Sequence, residues 1–148
     1  MKNTFRDILR QYWHYDDFRP LQAEIIESVA GGRDTLALLP TGGGKSICFQ
    51  VPALAMVAPG NEDGDGLCLV VTPLVALMKD QVLHLRERGI KAFALYAGQE
   101  AKEVYEILDH CQFGHTKFLY VSPERLESER FRTRLQFLPI SLIAVDEA

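Results

Sequence analysis

Cysteine is scarce and unpatterned. Cys48, Cys68 and Cys111 are scattered and odd in number, with neither the pairing of a disulfide framework nor the spacing of a metal cluster. Long apolar runs are missing as well. No uninterrupted stretch approaches the roughly 20 residues that cross a bilayer as a helix. The opening Met1-Lys2-Asn3-Thr4-Phe5-Arg6-Asp7 lacks the apolar segment of a signal peptide. Positive charge is not in excess: 16 Lys and Arg stand against 20 Asp and Glu, a formal charge of −4. That argues against a nucleic-acid binder working by global charge, and leaves room for a local basic groove. There is no internal repeat and no low-complexity segment. The expectation is a soluble intracellular protein, cytoplasmic and without a membrane partner. Its 148 residues correspond to about one domain with a real core.

What is present begins with Leu38-Leu39-Pro40-Thr41-Gly42-Gly43-Gly44-Lys45-Ser46. Three glycines remove Cβ atoms, so a tight loop can turn its N–H groups inward as a nest for an anion. A helix expected to begin near Gly44 adds N-terminal donors and the positive end of its dipole. Lys45 can then reach the β- and γ-phosphates of a nucleotide, and the Ser46 hydroxyl can sit on Mg²⁺. Residues 35–39, Thr-Leu-Ala-Leu-Leu, read as a buried strand feeding the loop. Leu39 stands where the general pattern has glycine, so the motif match is partial. The bland alternative is a glycine-rich turn with an exposed lysine.

Before the loop, Phe5, Ile8, Leu9 and Tyr12 fall at helical spacing. A second helix is expected to open at Pro20 and to stop at Gly31-Gly32. Between them, aromatics crowd beside Arg19 and Gln22. The choice there is between a hydrophobic staple and a base-recognition loop offering faces to stack on and an amide that both donates and accepts. After the loop comes a helix that Pro52 must kink or end, then an acidic surface loop over residues 59–66. Residues 67–72, 92–96, 117–121 and 141–145 read as further strands, with helices at 74–88 and 100–111 and a solvated mixed-charge stretch at 124–134. His110, Cys111 and His115 lack a fourth metal ligand. Strands alternating with helices predict a mostly parallel α/β sheet with helices on both faces, whose ligands bind at the carboxyl ends of the strands.

The strand at 141–145 delivers Asp146 and Glu147 at such an end. A hard cation takes oxygen ligands, and Mg²⁺ is commonly held by a loop Ser and a strand-end Asp. Asp146 is therefore the candidate metal carboxylate, and Glu147 the group that orients and polarises an attacking water. Positioning and charge stabilisation would then drive phosphoryl transfer to water. The alternative is a strand that merely ends in solvent.

These residues resemble the RecQ family of superfamily 2 DNA helicases. Phe18-Arg19-Pro20-Leu21-Gln22, Leu39 to Ser46, Val71-Thr72-Pro73-Leu74-Val75-Ala76-Leu77-Met78-Lys79-Asp80-Gln81, Tyr120-Val121-Ser122-Pro123-Glu124-Arg125-Leu126 and Val145-Asp146-Glu147-Ala148 look like its motifs 0, I, Ia, Ib and the start of II, in order along the whole chain. The resemblance implies a RecA-like P-loop domain and an ATP-dependent helicase moving 3′ to 5′ on single-stranded or forked DNA, cytoplasmic and nucleoid-associated. By motif, Tyr15, Arg19 and Gln22 would hold adenine. Thr41, Gly42, Gly43, Gly44, Lys45 and Ser46 would hold phosphates and Mg²⁺. Thr72, Pro73, Lys79, Ser122, Pro123, Glu124 and Arg125 would line the DNA-tracking face. His14 stands where the family usually has glycine, and residues 61–66 look like an insertion.

The resemblance also implies a chain incomplete at its C-terminus, a truncated first motor domain whose residues 1–33 carry the adenine motif. In the resembled sheet another strand separates 35–39 from 142–145, so those two are expected without direct pairing and the isolated chain poorly stable. A module that binds nucleotide or a partner without turnover is the competing reading, the one expected of these 148 residues alone, while the helicase reading is expected of the parent protein. A P-loop kinase or GTPase is disfavoured, because no Asn-Lys-x-Asp string occurs.

Overall fold

The computed structural model describes residues 2–39, 44–60 and 66–146. Pro40, Thr41, Gly42, Gly43, Glu147 and most of the acidic loop lie outside the described residues. The chain divides into two units, Met1–Met56 and Val57–Ala148.

The first unit is helical. Helix α1 (Lys2–Ile8) runs into a π-helical turn, Leu9–Trp13, that buries Leu9 and Trp13. His14 ends this turn at φ 61°. That is the left-handed region that glycine enters without a Cβ penalty, which explains the residue type the resemblance led one to expect there. Helix α2 spans Gln22–Ala30. It starts two residues later than expected. Pro20 and Leu21 instead form a reverse turn closed by the Gln22 N–H donating to the Arg19 carbonyl at 3.1 Å. Leu21 has φ 73° and ψ −21°, so the turn has the form of type II with Pro at its second position. Helix α3 (Ile47–Ala55) begins after Ser46 and continues past Pro52 for three residues. Pro52 therefore does not end it.

The expectation of a buried strand at 35–39 is not met. These residues form no strand, and Leu36 and Leu38 are 84% and 83% exposed. A fully apolar strand is stable only where ladders and covering layers flank it, and the described part of the first unit contains no strand to pair with.

The second unit holds a four-stranded, all-parallel sheet built from β1 (Leu67–Val71), β2 (Ala92–Leu95), β3 (Phe118–Val121) and β4 (Ile140–Val145), in the order β2-β3-β1-β4. Its connections are α4 (Val75–Glu87), α5 (Ala101–Phe113), and a 3₁₀ turn (Pro123–Glu127) followed by α6 (Glu129–Leu135). Strand side chains alternate between faces. Leu67, Leu69, Val71, Leu95, Leu119 and Val121 pack with Ile107, Leu108 and Cys111 of α5 and Phe131 of α6. The opposite face carries Phe118 and Tyr120 and takes α4, whose Met78, Val82 and Leu85 are buried. Each such side chain contributes about 1.5–3 kcal/mol when fully buried. Tyr120 Oη donates to Gln81 Oε1 across this layer at 2.6 Å. Helices on both faces of a parallel sheet make this unit α/β, consistent with the incomplete RecA-like fold expected. Ser141 is one extra residue in β4, a bulge between Leu67↔Ile140 and Cys68↔Leu142.

The two sheet edges differ. Along β2, the outward carbonyls of Ala92, Ala94 and Tyr96 accept from Arg86 Nε at 2.8 Å, Gln99 Nε2 at 3.0 Å and Arg125 Nη2 at 2.8 Å. Along β4, Ile143 and Val145 remain 60% and 61% exposed. Among the described residues β1 is the one strand that pairs with β4.

Candidate functional site

In the first unit, the turn before α2 and the glycine loop meet through one side chain. Gln22 is 2% exposed although polar. Its Oε1 accepts from the Arg19 N–H at 2.7 Å, and its Nε2 donates to the Gly44 carbonyl at 3.0 Å. The first of these resembles half of a capping box, where a Gln side chain reaches back three residues to an orphan N–H. The second crosses 22 residues of sequence and fixes the end of the loop. Gly44 sits at φ +76°, and a Cβ there would lie 2.5 Å from Gln22 Nε2. Lys45 and Ser46 follow in a turn, and the Lys45 and Ser46 carbonyls accept from the first N–H groups of α3. Lys45 and Ser46 are half-buried, while Tyr15 and Arg19 are exposed.

In the second unit, one row of residues runs along the carboxyl edge of the sheet. Thr72 N–H donates to the Val121 carbonyl at 3.1 Å, Ser122 N–H to Leu95 at 3.3 Å, and Asp146 N–H to Val71 at 2.9 Å. By continuation of the strand register, the row reads Tyr96, Ser122, Thr72, Asp146. At about 4.8 Å per strand it is about 14 Å long. Asp146 is half-buried at one end. Thr72 and Ser122, expected on a DNA-tracking face, are buried, so their hydroxyls point away from open solvent. The Leu74 N–H approaches Thr72 Oγ1 at 3.5 Å, as at the start of a helix. Pro73, Lys79, Pro123 and Glu124 are exposed, and Arg125 is half-buried.

Tyr96 and Gln99 were not singled out from sequence. A signal was present: an aromatic followed by Ala-Gly-Gln directly after a parallel strand, at the end where ligands bind. Lys79 Nζ lies 4.6 Å from the Tyr96 ring centroid. The Tyr96 N–H donates to Gln99 Oε1 at 2.9 Å.

Ser46 in the first unit and Asp146 in the second are each a hard oxygen donor of the kind magnesium takes beside phosphate and water. Among the described residues no three His, Cys, Asp or Glu side chains form a metal cluster. His110 instead stacks on Phe93 at 5.2 Å, with Nδ1 3.3 Å from Lys91 Nζ. Among the described residues no helix is long and apolar enough to cross a membrane.

Residues 19–148 match the family model of the DEAD/DEAH box helicases. The chain is 43% identical, over 95% of its length, to the probable ATP-dependent DNA helicase RecS of Bacillus subtilis, and covers 26% of that protein. It is 41% identical over its full length to the ATP-dependent DNA helicase RecQ of the same organism, covering 24% of it. For the ATP-dependent DNA helicase RecQ of Synechocystis the figures are 43% identity, 99% of this chain and 30% of the relative. The chain thus spans about a quarter of the length of these relatives.

Proposed function

Because the chain belongs to the DEAD/DEAH box helicase family, we propose that it is the ATP- and DNA-binding part of the first motor domain of a RecQ-like, ATP-dependent DNA helicase moving 3′ to 5′. The observation that carries this reading is identity to DNA helicases along essentially the whole chain, with the motifs in their expected order. In this reading residues 1–33 belong to the same domain. Tyr15, Arg19 and Gln22 hold adenine. Thr41, Gly42, Gly43, Gly44 and Lys45 bind the phosphates, and Mg²⁺ rests on Ser46 and Asp146. Glu147 orients the water that attacks the terminal phosphate. Thr72, Pro73, Lys79, Ser122, Pro123, Glu124 and Arg125 form the face that follows single-stranded or forked DNA. In this reading Thr72 and Ser122, which are buried, contribute backbone and turn geometry, and Lys79 and Arg125 supply charge.

The test is ATP hydrolysis by the protein with and without a single-stranded oligonucleotide. In a full-length version, hydrolysis that rises with DNA and is abolished by Lys45→Ala is the expected outcome, since the ammonium is the loop's one side-chain cation. ATP binding without DNA-stimulated turnover would mark a binding module instead. Full activity of Lys45→Ala would overturn the assignment of the loop.

A further inference from the structure

Tyr96 lies at the end of the carboxyl-edge row opposite Asp146, and two cations from different elements converge on it. Lys79 comes from the second turn of α4, and its ammonium sits over the ring at 4.6 Å. Arg125 comes from the 3₁₀ turn after β3, and its guanidinium donates to the Tyr96 carbonyl at 2.8 Å. The residue is itself held: its N–H donates to Gln99 Oε1, and Gln99 Nε2 is anchored on the Ala94 carbonyl. A π face and a carbonyl oxygen both carry partial negative charge. Each lowers the cost of bringing one cation near the other. On a chain of net charge −4, two gathered cations form a local positive field where ligands of parallel sheets bind.

The plain alternative is that the ring and carbonyl merely finish the β2 edge. The Arg125 bond does cap an outward carbonyl. The Lys79 contact does not, since it engages the ring and leaves ammonium hydrogens for another acceptor.

Building on the reading above, we propose that Tyr96 is a positioning residue of the nucleic-acid face, holding Lys79 and Arg125 together as a seat for backbone phosphates of a single strand. The ligand class is a polyanion with regularly spaced phosphates, bound without base preference.

The experiment measures binding of a fluorescein-labelled oligo(dT) by anisotropy over a series of KCl concentrations. Wild type is compared with Tyr96→Leu, Tyr96→Phe, Lys79→Ala and the Tyr96→Leu/Lys79→Ala pair. Tyr96→Leu is expected to weaken binding about 5–10-fold at low salt and to lower the slope of log K against log[salt] by about 0.7, one phosphate contact on a single strand. Tyr96→Phe keeps the ring and should stay within about twofold of wild type. In the Lys79→Ala background Tyr96→Leu should do much less, because the two act through one contact. Incorporating fluorinated phenylalanine at 96 drains the ring's negative face without changing its shape, so affinity should fall with each fluorine even if Tyr96→Leu fails to fold. Loss of affinity at unchanged salt slope, or fluorination without effect, would overturn the positioning role while leaving the helicase reading intact. Failure of the wild-type protein to bind oligo(dT) would overturn both.

Discussion

At the scale of single residues, Gly44 carries two independent demands. Its φ of +76° costs an L side chain roughly 1–2 kcal/mol. Any Cβ would also meet the Gln22 amide at 2.5 Å, inside contact distance. Gly44→Ala is therefore expected to lower the urea midpoint and to weaken binding of a fluorescent ATP analogue at least tenfold. Adding Gln22→Ala removes the collision and leaves the backbone cost, so the double variant should recover part of the lost urea midpoint. An additive double variant would show that the two residues do not meet. Gln22→Ala alone separates two roles. A side chain that reads the adenine edge loses ATP affinity more than GTP affinity, because polar readout discriminates strongly. Equal losses would identify a brace for the loop, the role its bonds to Arg19 and Gly44 already perform. The motif residues were legible from glycine count and the Lys-Ser pair. The Gln22–Gly44 bond was not, since a contact across 22 residues leaves no local trace.

At the scale of elements, α4 shows what holds a helix on a sheet. Met78 is fully buried and Tyr120 nearly so, and Gln81 bonds the tyrosine hydroxyl. Met78→Ala should cost about 2–5 kcal/mol through lost burial and a residual cavity. Tyr120→Phe keeps the ring in place and should cost about 0.5–1.5 kcal/mol. Chemical denaturation of both variants checks the order, and a larger loss for Tyr120→Phe would mean that the hydrogen bond dominates. Strands β1 to β4 were readable because each is a short apolar run bounded by turn residues. Residues 35–39 have the same pattern and form no strand. Apolarity records that a segment can be buried in a sheet, whereas the neighbour that buries it lies elsewhere in the sequence. Pro52 reads as a kink or an end, and α3 runs on past it to Ala55. The π-helical turn at Leu9–Trp13 escaped because it adds one residue to a period that still looks helical.

At the scale of the whole molecule, the three thiols make stability sensitive to alkali. Burial pushes Cys48 up to about 11 and Cys111 up to about 12, and burial raises Cys68 further still. Unfolded thiols ionise near 8.5. Below that pH both states hold the proton and the contribution of burial is complete. As pH rises toward the folded values, only the unfolded state gains thiolate, so the fold loses stability over that window. Urea midpoints at pH 7, 9 and 10.5 should fall progressively, and Cys68→Val should flatten the decline. An unchanged decline would show that the Cys68 thiol does not carry it. Finally, the unequal edges of the sheet set a rule for how copies of this chain can join. The β2 side has its outward acceptors occupied by Arg86, Gln99 and Arg125, whereas β4 presents the exposed apolar side chains of Ile143 and Val145. Head-to-tail stacking of sheets needs one edge of each kind, and one kind is blocked. Strand-to-strand association of copies is thereby expected to run β4 against β4, a twofold contact that closes at two copies.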